Sequence, residues 1–339
     1  MKGSHLDRLY ARAARDAIPL HVSLELTSRC PFRCRHCYLP EHRAPDALTT
    51  RRALRLLDEL VDMGTLHLTL TGGDPLLRSD WRPIAQRARE LGFQLHLFTT
   101  GATLTAETAD VVAGLHCPVE ITLHSLRADG FDRVTGITGS LARTLRGVEL
   151  LHERGVDVCL KSTILDETAG DVAEVREYAD RLGLRFRADA ALLPRRNGDL
   201  SPLSQRVDER RLLPDHPGIR PLAGGHAPTP PDDDLPLCAA ANRTAHVAAS
   251  GHVMACAVLP GSAGSLVESG FREIWETSPW LRRVRSIRRR DLRRCDSCTR
   301  LGYCGRCHAL ALLEDGDLQG PSSWAGRHAQ VVESARGWI

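Results

Sequence analysis

The sequence predicts an α/β fold, a parallel sheet joined by crossover helices, followed by a cysteine-rich C-terminal extension. Three observations carry this. Short apolar runs alternate with helical patterns between residues 20 and 190, and the rhythm stops after Pro194. Nine of the eleven cysteines then fall into motif-like groups at 30–37, 238–256 and 295–307.

Strands are expected over 21–27 (HVSLELT), 66–72 (LHLTLTG), 93–100 (FQLHLFTT), 119–125 (VEITLHS), 156–164 (VDVCLKSTI) and 184–190 (LRFRADA). Helical patterns fill the gaps at 49–64, 79–92, 104–115, 140–155 and 171–183, several of them ending at Gly. Thr50, Ser140 and Asp171 are the expected N-caps of the first, fourth and fifth. Strand–helix alternation at this spacing argues a parallel sheet with right-handed crossovers. Six such units suit a partial barrel or an open sheet, and alternation alone does not separate the two. Residues 214–236 (PDHPGIRPLAGGHAPTPPDDDLP) read as an irregular arm. The region beyond Leu237 has too few large apolar residues for a core of its own and is expected to fold around metal. The units expected are a lead-in (1–19), the α/β unit (20–195), a bridging segment (196–236) and the cysteine-rich region (237–339).

With 45 Lys and Arg against 42 Asp and Glu, the formal charge is +3. That is no footprint for nucleic acid, which calls for a strongly basic face. Neither a secretory signal nor an apolar run of about 18 residues is present, so no membrane span is expected and the chain reads as soluble and cytoplasmic. Disulfide scaffolding does not suit a reducing compartment, and clustered thiols there point to metal. Cys117 and Cys159 stand apart in apolar segments and are expected to be buried core residues.

Directly after the first strand, SRCPFRCRHCY spaces Cys30, Cys34 and Cys37 as C-x3-C-x2-C. One tight loop there presents three thiolates to one face of a cubic cluster and leaves the fourth iron open. A zinc site completed by His36 or His42 is the alternative, though zinc sites favour paired C-x2-C knuckles. The second strand ends in TGGDP, where Gly72 and Gly73 permit close backbone approach to a ligand and Asp74 adds a carboxylate. The third and fourth end in small hydroxyl residues. All of this lies at the C-terminal edge of the sheet, where parallel α/β folds bind ligands.

The triplet CPFRCRHC, with TGGDP behind it, resembles the signature of radical S-adenosylmethionine (SAM) enzymes over residues 20–195. The resemblance implies a partial (β/α)6 TIM-like barrel in which Cys30, Cys34 and Cys37 hold a [4Fe–4S] cluster whose open iron chelates SAM. One electron then releases a 5′-deoxyadenosyl radical that abstracts hydrogen from unactivated carbon. Implied SAM-binding positions are Tyr38, Gly72, Gly73, Asp74, Thr100, Gly101, Ser125 and Lys161. The family usually carries Glu where this chain has Asp74. No catalytic acid or base is assigned.

The C-terminal pattern Cys238-x12-Gly251-x4-Cys256, then Cys295-x2-Cys298-x5-Cys304-x2-Cys307, resembles the SPASM extension, which houses one or two auxiliary [4Fe–4S] clusters. The match places Cys238, Cys256 and Cys307 on the first auxiliary cluster and Cys295, Cys298 and Cys304 on the second. Gly326 stands where the family supplies a further thiolate, so that cluster has an open iron, takes a substitute such as His308 or His328, or is absent. A single zinc on the C-x2-C-x5-C-x2-C run is the alternative. The basic run 281–294 reads as a solvated helix face, or else as a dock for an acidic peptide or redox partner.

Enzymes similar to this one modify ribosomal peptides or proteins by crosslinking, decarboxylation or side-chain oxidation. The expected activity is therefore an oxidative peptide maturase, served by a flavodoxin- or ferredoxin-type reductant. About twenty residues precede the first strand, so leader recognition is expected from a separate protein. The alternatives are a tetrapyrrole or other small-molecule substrate, and a non-enzymatic iron–sulfur or zinc relay protein.

Overall fold

The computed structural model describes residues 5–43, 45–208, 236–295 and 297–335. Most of the irregular arm, 209–235, lies outside the described residues. Helix α1 (His5–Asp16) leads into six strand–helix units. The strands are β1 (His21–Thr27), β2 (His67–Gly72), β3 (Gln94–Thr99), β4 (Val119–Thr122), β5 (Val158–Thr163) and β6 (Arg185–Asp189). The helices between them are α2 (Thr50–Asp62), α3 (Trp81–Glu90), α4 (Ala106–Gly114), α5 (Ala128–Thr135), α6 (Ser140–His152) and α7 (Val172–Arg181). All six strands are parallel and lie side by side in chain order. Sequential right-handed crossovers put every helix on one face, so the sheet is singly wound and curls into a partial barrel rather than spreading as an open doubly wound sheet.

Strict alternation along the strands builds the two faces. Val22, Leu24, Leu68, Leu70, Leu95, Leu97, Val119, Ile121 and Leu160 are buried toward the helices, each such side chain contributing about 1.5–3 kcal/mol. The alternate positions are polar and face the lumen: Ser23 and Glu25, Thr69 and Thr71, Glu120 and Thr122, Lys161 and Thr163, Arg187 and Asp189.

The cysteine-rich region has more regular structure than its sequence suggests. β7 (Thr244–Val247) adds parallel to β1, and β8 (His252–Met254) and β9 (Gly264–Ser265) follow antiparallel, giving one nine-stranded sheet. Helices α8 (Phe271–Thr277), α9 (Pro279–Ser286), α10 (His308–Asp315) and α11 (Ser323–Ala335) complete it. Trp275 of α8 is buried and donates its indole N–H to Ala17 O at 2.7 Å, tying the extension to the chain's start. The basic run is partly structural: Arg285 stacks 4.8 Å from the Trp275 ring and donates to Ala241 O, while Arg282 caps Glu276 O.

Two caps differ from expectation. Thr49, not Thr50, caps α2, because Thr50 turns its hydroxyl to Asp80. α6 is capped from outside by Asp132, whose carboxylate accepts the amides of Gly139, Ser140 and Leu141. Asp171 does precede α7, but its carboxylate is taken by Ser125 Oγ at 2.6 Å.

At the N-terminal end of the lumen, His21 and His67 stand opposite each other with ring centroids 6.0 Å apart, and His96 lies one strand over. Burial, then repulsion from His67, lowers the pKa of both His21 and His96, with Glu120 and Asp157 opposing at His96. Burial also pulls His124 well below the ordinary imidazole value. The unfolded chain therefore takes up these protons first, and stability present above about pH 6.5 is lost as pH falls. Thermal melts of the apoprotein are expected to drop between neutral and mildly acid pH, and His67→Gln should narrow that drop.

Candidate active site

The loop after β1 is built by contacts on three sides. On one side the Gly-Gly edge of β2 abuts it. Gly73 N donates to Thr27 O and Asp74 N to Arg29 O, each at 2.8 Å. A Cβ on Gly73 would lie 2.3 Å from Arg29 O, and one on Gly72, whose φ is +150°, 2.3 Å from Thr27 O. The glycines thus allow the chain's own cysteine loop, rather than only a ligand, to approach. On the second side the end of α5 holds the loop through Arg33 N to Thr135 O (2.7 Å) and Arg35 N to Val134 O (3.3 Å). On the third, Arg196 donates its backbone N–H to Tyr38 O at 3.0 Å and places its guanidinium 5.3 Å from the Tyr38 ring.

Cys30, Cys34 and Cys37 all line one cavity of about 320 Å³ at the C-terminal mouth of the barrel. Tyr38, Gly72, Gly73, Thr100 and Lys161 share its wall. Asp74, Gly101 and Ser125 do not reach it. The Asp74 carboxylate is fully buried and accepts from Thr99 Oγ1 (3.0 Å), Thr100 N (3.1 Å), Thr100 Oγ1 (2.5 Å) and Leu76 N (3.1 Å). Burial raises its pKa against these donors. Gly101 turns at a φ of +75°, and α6 crosses over it at Gly147, where a Cβ would sit 2.1 Å from the Gly101 carbonyl oxygen. Ser125 is buried and committed to Asp171 and the Arg127 amide.

Sequence reasoning offered His36 only as a zinc ligand and did not single out three further lining groups, Glu120, His124 and Arg187. His36 packs edge-on against His124 at 4.7 Å, and its buried Nδ1 has no hydrogen-bond partner. Arg187 donates to Glu120. Lys161 lies 5.3 Å from the Phe98 ring, its pKa lowered by burial and then by Arg187. The signal was available, because alternate polar residues on consecutive parallel strands must share one face.

In the extension, Cys238 precedes β7, Cys256 follows β8, and Cys307 opens α10. Cys295 and Cys298 share a turn, Cys298 N donating to Cys295 O at 3.3 Å, and Cys304 closes the next turn. None of the eleven cysteines is in a disulfide. A second cavity, about 340 Å³, is lined by Cys298, Cys304 and Gly326 among others. Arg306 lies near Cys238, Cys295, Cys304 and Cys307 and is fixed by the Gly320 and Leu318 carbonyls.

The thiols fit an iron–sulfur assignment in a specific way. Cys30 Sγ accepts the Phe32 N–H at 3.4 Å, and Cys256 Sγ accepts the Leu259 N–H at 3.3 Å. Such bonds stabilise negative sulfur in an otherwise dry site, where burial pushes the protonated Cys30 up to about 12. The buried Cys159 does the opposite and donates its S–H to Leu160 O. Among the described residues no group of three or more His, Cys, Asp or Glu side chains is gathered tightly enough to hold a metal ion.

Residues 24–179 match the radical SAM superfamily, and residues 238–307 match SPASM, an iron–sulfur cluster-binding domain. The chain belongs to the radical SAM superfamily. It is a radical SAM–SPASM enzyme, so the relay-protein alternative is set aside. Its cofactors are a [4Fe–4S] cluster with SAM and auxiliary iron–sulfur clusters. The AdoMet-dependent heme synthase of Methanosarcina barkeri is 27% identical over 333 residues, 88% of this chain and 94% of that protein. The PqqA peptide cyclase of Granulibacter bethesdensis is 26% identical over 355 residues, 94% of this chain and 90% of that protein. The crystal structure of Streptococcus suis SuiB bound to precursor peptide SuiA has the same fold, with a TM-score of 0.72 at 15% identity. It covers 95% of this chain and 81% of that one. Among the described residues no helix is long and apolar enough to cross a membrane.

Proposed function

We propose that this radical SAM–SPASM enzyme oxidatively modifies a ribosomally made peptide or protein. The observation that carries the reading is the similarity to the PqqA peptide cyclase, which extends over 94% of this chain. The fold shared with SuiB, solved with its precursor peptide, supports it. The second reading, a tetrapyrrole substrate, is favoured by the likeness to the heme synthase.

In this reading Cys30, Cys34 and Cys37 hold the SAM-binding cluster, which supplies the 5′-deoxyadenosyl radical when reduced. Thr100 and Lys161 meet SAM from β3 and β5, with Tyr38, Gly72 and Gly73 closing the wall. Asp74 acts at one remove: satisfied by Thr99, Thr100 and Leu76, it positions Thr100 and the cysteine loop. Cys238, Cys256 and Cys307 belong to the first auxiliary cluster, and Cys295, Cys298 and Cys304 to the second. The proposed setting is cytoplasmic, with a flavodoxin- or ferredoxin-type reductant and a separate leader-recognition protein.

The test pairs the reconstituted enzyme with short peptides encoded beside its gene and, separately, with tetrapyrrole precursors. Deoxyadenosine formed together with a peptide that has lost a pair of hydrogens supports the proposal. Turnover of tetrapyrrole alone sinks it.

Arg306, lying between the two auxiliary thiol sets, stabilises added negative charge on both. Arg306→Gln is expected to move both auxiliary reduction potentials to more negative values, read by an EPR-monitored redox titration. An unchanged titration would mean that the guanidinium serves only the Leu318 and Gly320 carbonyls.

A further inference from the structure

This chain almost dispenses with lysine. Of its 45 Lys and Arg, only Lys2 and Lys161 are lysines, so arginine serves almost wherever a cation is needed. Lys161 stands on the lumen side of β5, in the wall of the barrel cavity. Its pairing partners on the flanking strands are Thr122 of β4 and Arg187 of β6, a hydroxyl and a second cation. The two carboxylates that act on it are engaged elsewhere: Glu120 accepts from Arg187, and Asp189 accepts the Ala191 amide at 2.7 Å. Among the described residues Lys161 makes no hydrogen bond or ion pair, and its Nζ lies over the Phe98 ring at 5.3 Å. An enclosed ammonium without an acceptor is costly, and shedding its proton removes the cost. Burial, then Arg187, lower its pKa, while Glu120, Asp189 and Cys159 oppose. His36 and His124, whose own pKa values burial lowers, act on it from the cysteine loop and from just past β4. A guanidinium could not take this part, because it keeps its proton in proteins.

We propose that Lys161 is the proton acceptor of the oxidative reaction. The assignment rests on the oxidation proposed above and adds the group that takes its proton. A residue that meets SAM inside the cavity also faces the substrate carbon, since that carbon must come up to the same ribose to lose its hydrogen. The hydrogen atom leaves with the 5′-deoxyadenosyl radical as 5′-deoxyadenosine. The electron left on the substrate passes to an oxidised auxiliary iron–sulfur cluster, and the proton passes to the Lys161 amine, which becomes an ammonium. The substrate has then lost two hydrogens and closes its new bond, and the ammonium returns its proton to water. A base so placed contributes about 10²–10⁴-fold in rate. Lysine stands here, and arginine elsewhere, because only the amine can be emptied of a proton and refilled.

The test uses the full-length chain, reconstituted with iron and sulfide and kept anaerobic. Trace acetic anhydride labels its amines from neutral to alkaline pH, with Nα-acetyl-lysine in the same solution as the ordinary amine, and mass spectrometry reads each site. Lys161 is expected to reach half its limiting reactivity at a lower pH than the reference. A midpoint equal to the reference or above it would overturn the proposal, as would a Lys161 that no pH makes reactive. Turnover is then measured at saturating SAM with the short peptides encoded beside the gene, as modified peptide per deoxyadenosine. Lys161→Ala should lower that ratio about 100-fold, and added n-propylamine, the severed part of the side chain, should restore much of it, more as pH rises. Lys161→Arg, which keeps the charge, should stay as low as Lys161→Ala. Recovery in Lys161→Arg with no rescue by the amine would mean a lysine that serves only by its charge, and would overturn the assignment. The labelling needs no substrate, so failure of the peptide reading stands apart. Turnover of tetrapyrrole alone sinks that reading, while the same low midpoint and amine rescue with tetrapyrrole would keep Lys161 as the proton acceptor.

Discussion

Replacing Cys30, Cys34 and Cys37 together with Ala is expected to reduce 5′-deoxyadenosine formation to background while the auxiliary clusters remain. The three thiols share one cavity wall in a loop pinned by β2, α5 and Arg196. Their removal leaves those backbone contacts in place. The cysteines of the extension lie on β-strand ends and turns that do not depend on the loop. Iron should therefore fall from about twelve to about eight per chain, with the auxiliary EPR signals unchanged. Loss of all iron would mean that the extension cannot fold around its clusters unless the barrel is loaded. Deoxyadenosine persisting in the triple variant would sink the assignment of the cysteine loop.

Gly73→Ala should be nearly as damaging, although it removes no ligand. The added methyl would lie 2.3 Å from Arg29 O and 2.5 Å from Ser28 O, both backbone atoms that cannot swing away. Either β2 or the loop must move, and with it Cys30, one residue from the contact. A displacement of about 1 Å at a reacting centre costs on the order of 10²-fold in rate. SAM cleavage is expected to fall by that order, with the SAM-site iron partly lost and the other clusters intact. Gly114→Ala, at the end of α4 with open space around it, is the matched control and should cleave SAM normally.

Much of the barrel was legible because its strands obey one rule. Apolar residues at every second position must face the helices, and that period placed all six strands to within three residues at either end. The same rule implied the polar lumen, yet Glu120, His124 and Arg187 were not singled out from sequence, since nothing local says that a sheet will curl. The triplet cysteines came together as expected. TGGDP was read as an approach to a ligand; in the structure its glycines accommodate the cysteine loop, and its carboxylate is buried among threonines. Strands β7 to β9 were missed because they are two to four residues long, and the pairing that joins them to the barrel, β7 on β1, spans more than two hundred residues of sequence. Local propensity carries no information about such a partner.

The junction of β1 with β7 makes the chain a poor candidate for division into modules. Glu25 of β1 is buried and meets Arg196, His246 Nε2 at 3.0 Å, and the Ala249 amide at 3.2 Å. Burial alone would raise its pKa, but His246 and Arg196 hold the carboxyl below its usual range. A barrel expressed without the segment from β7 onward would keep the carboxylate and lose two of its three partners, a change that costs about 3–5 kcal/mol for a buried pair. It would also expose the full hydrogen-bonding edge of β1, a template for aggregation. Gene fragments, fusions and domain-swapped chimeras should therefore be cut outside residues 21–265, so that the two halves of the sheet travel together.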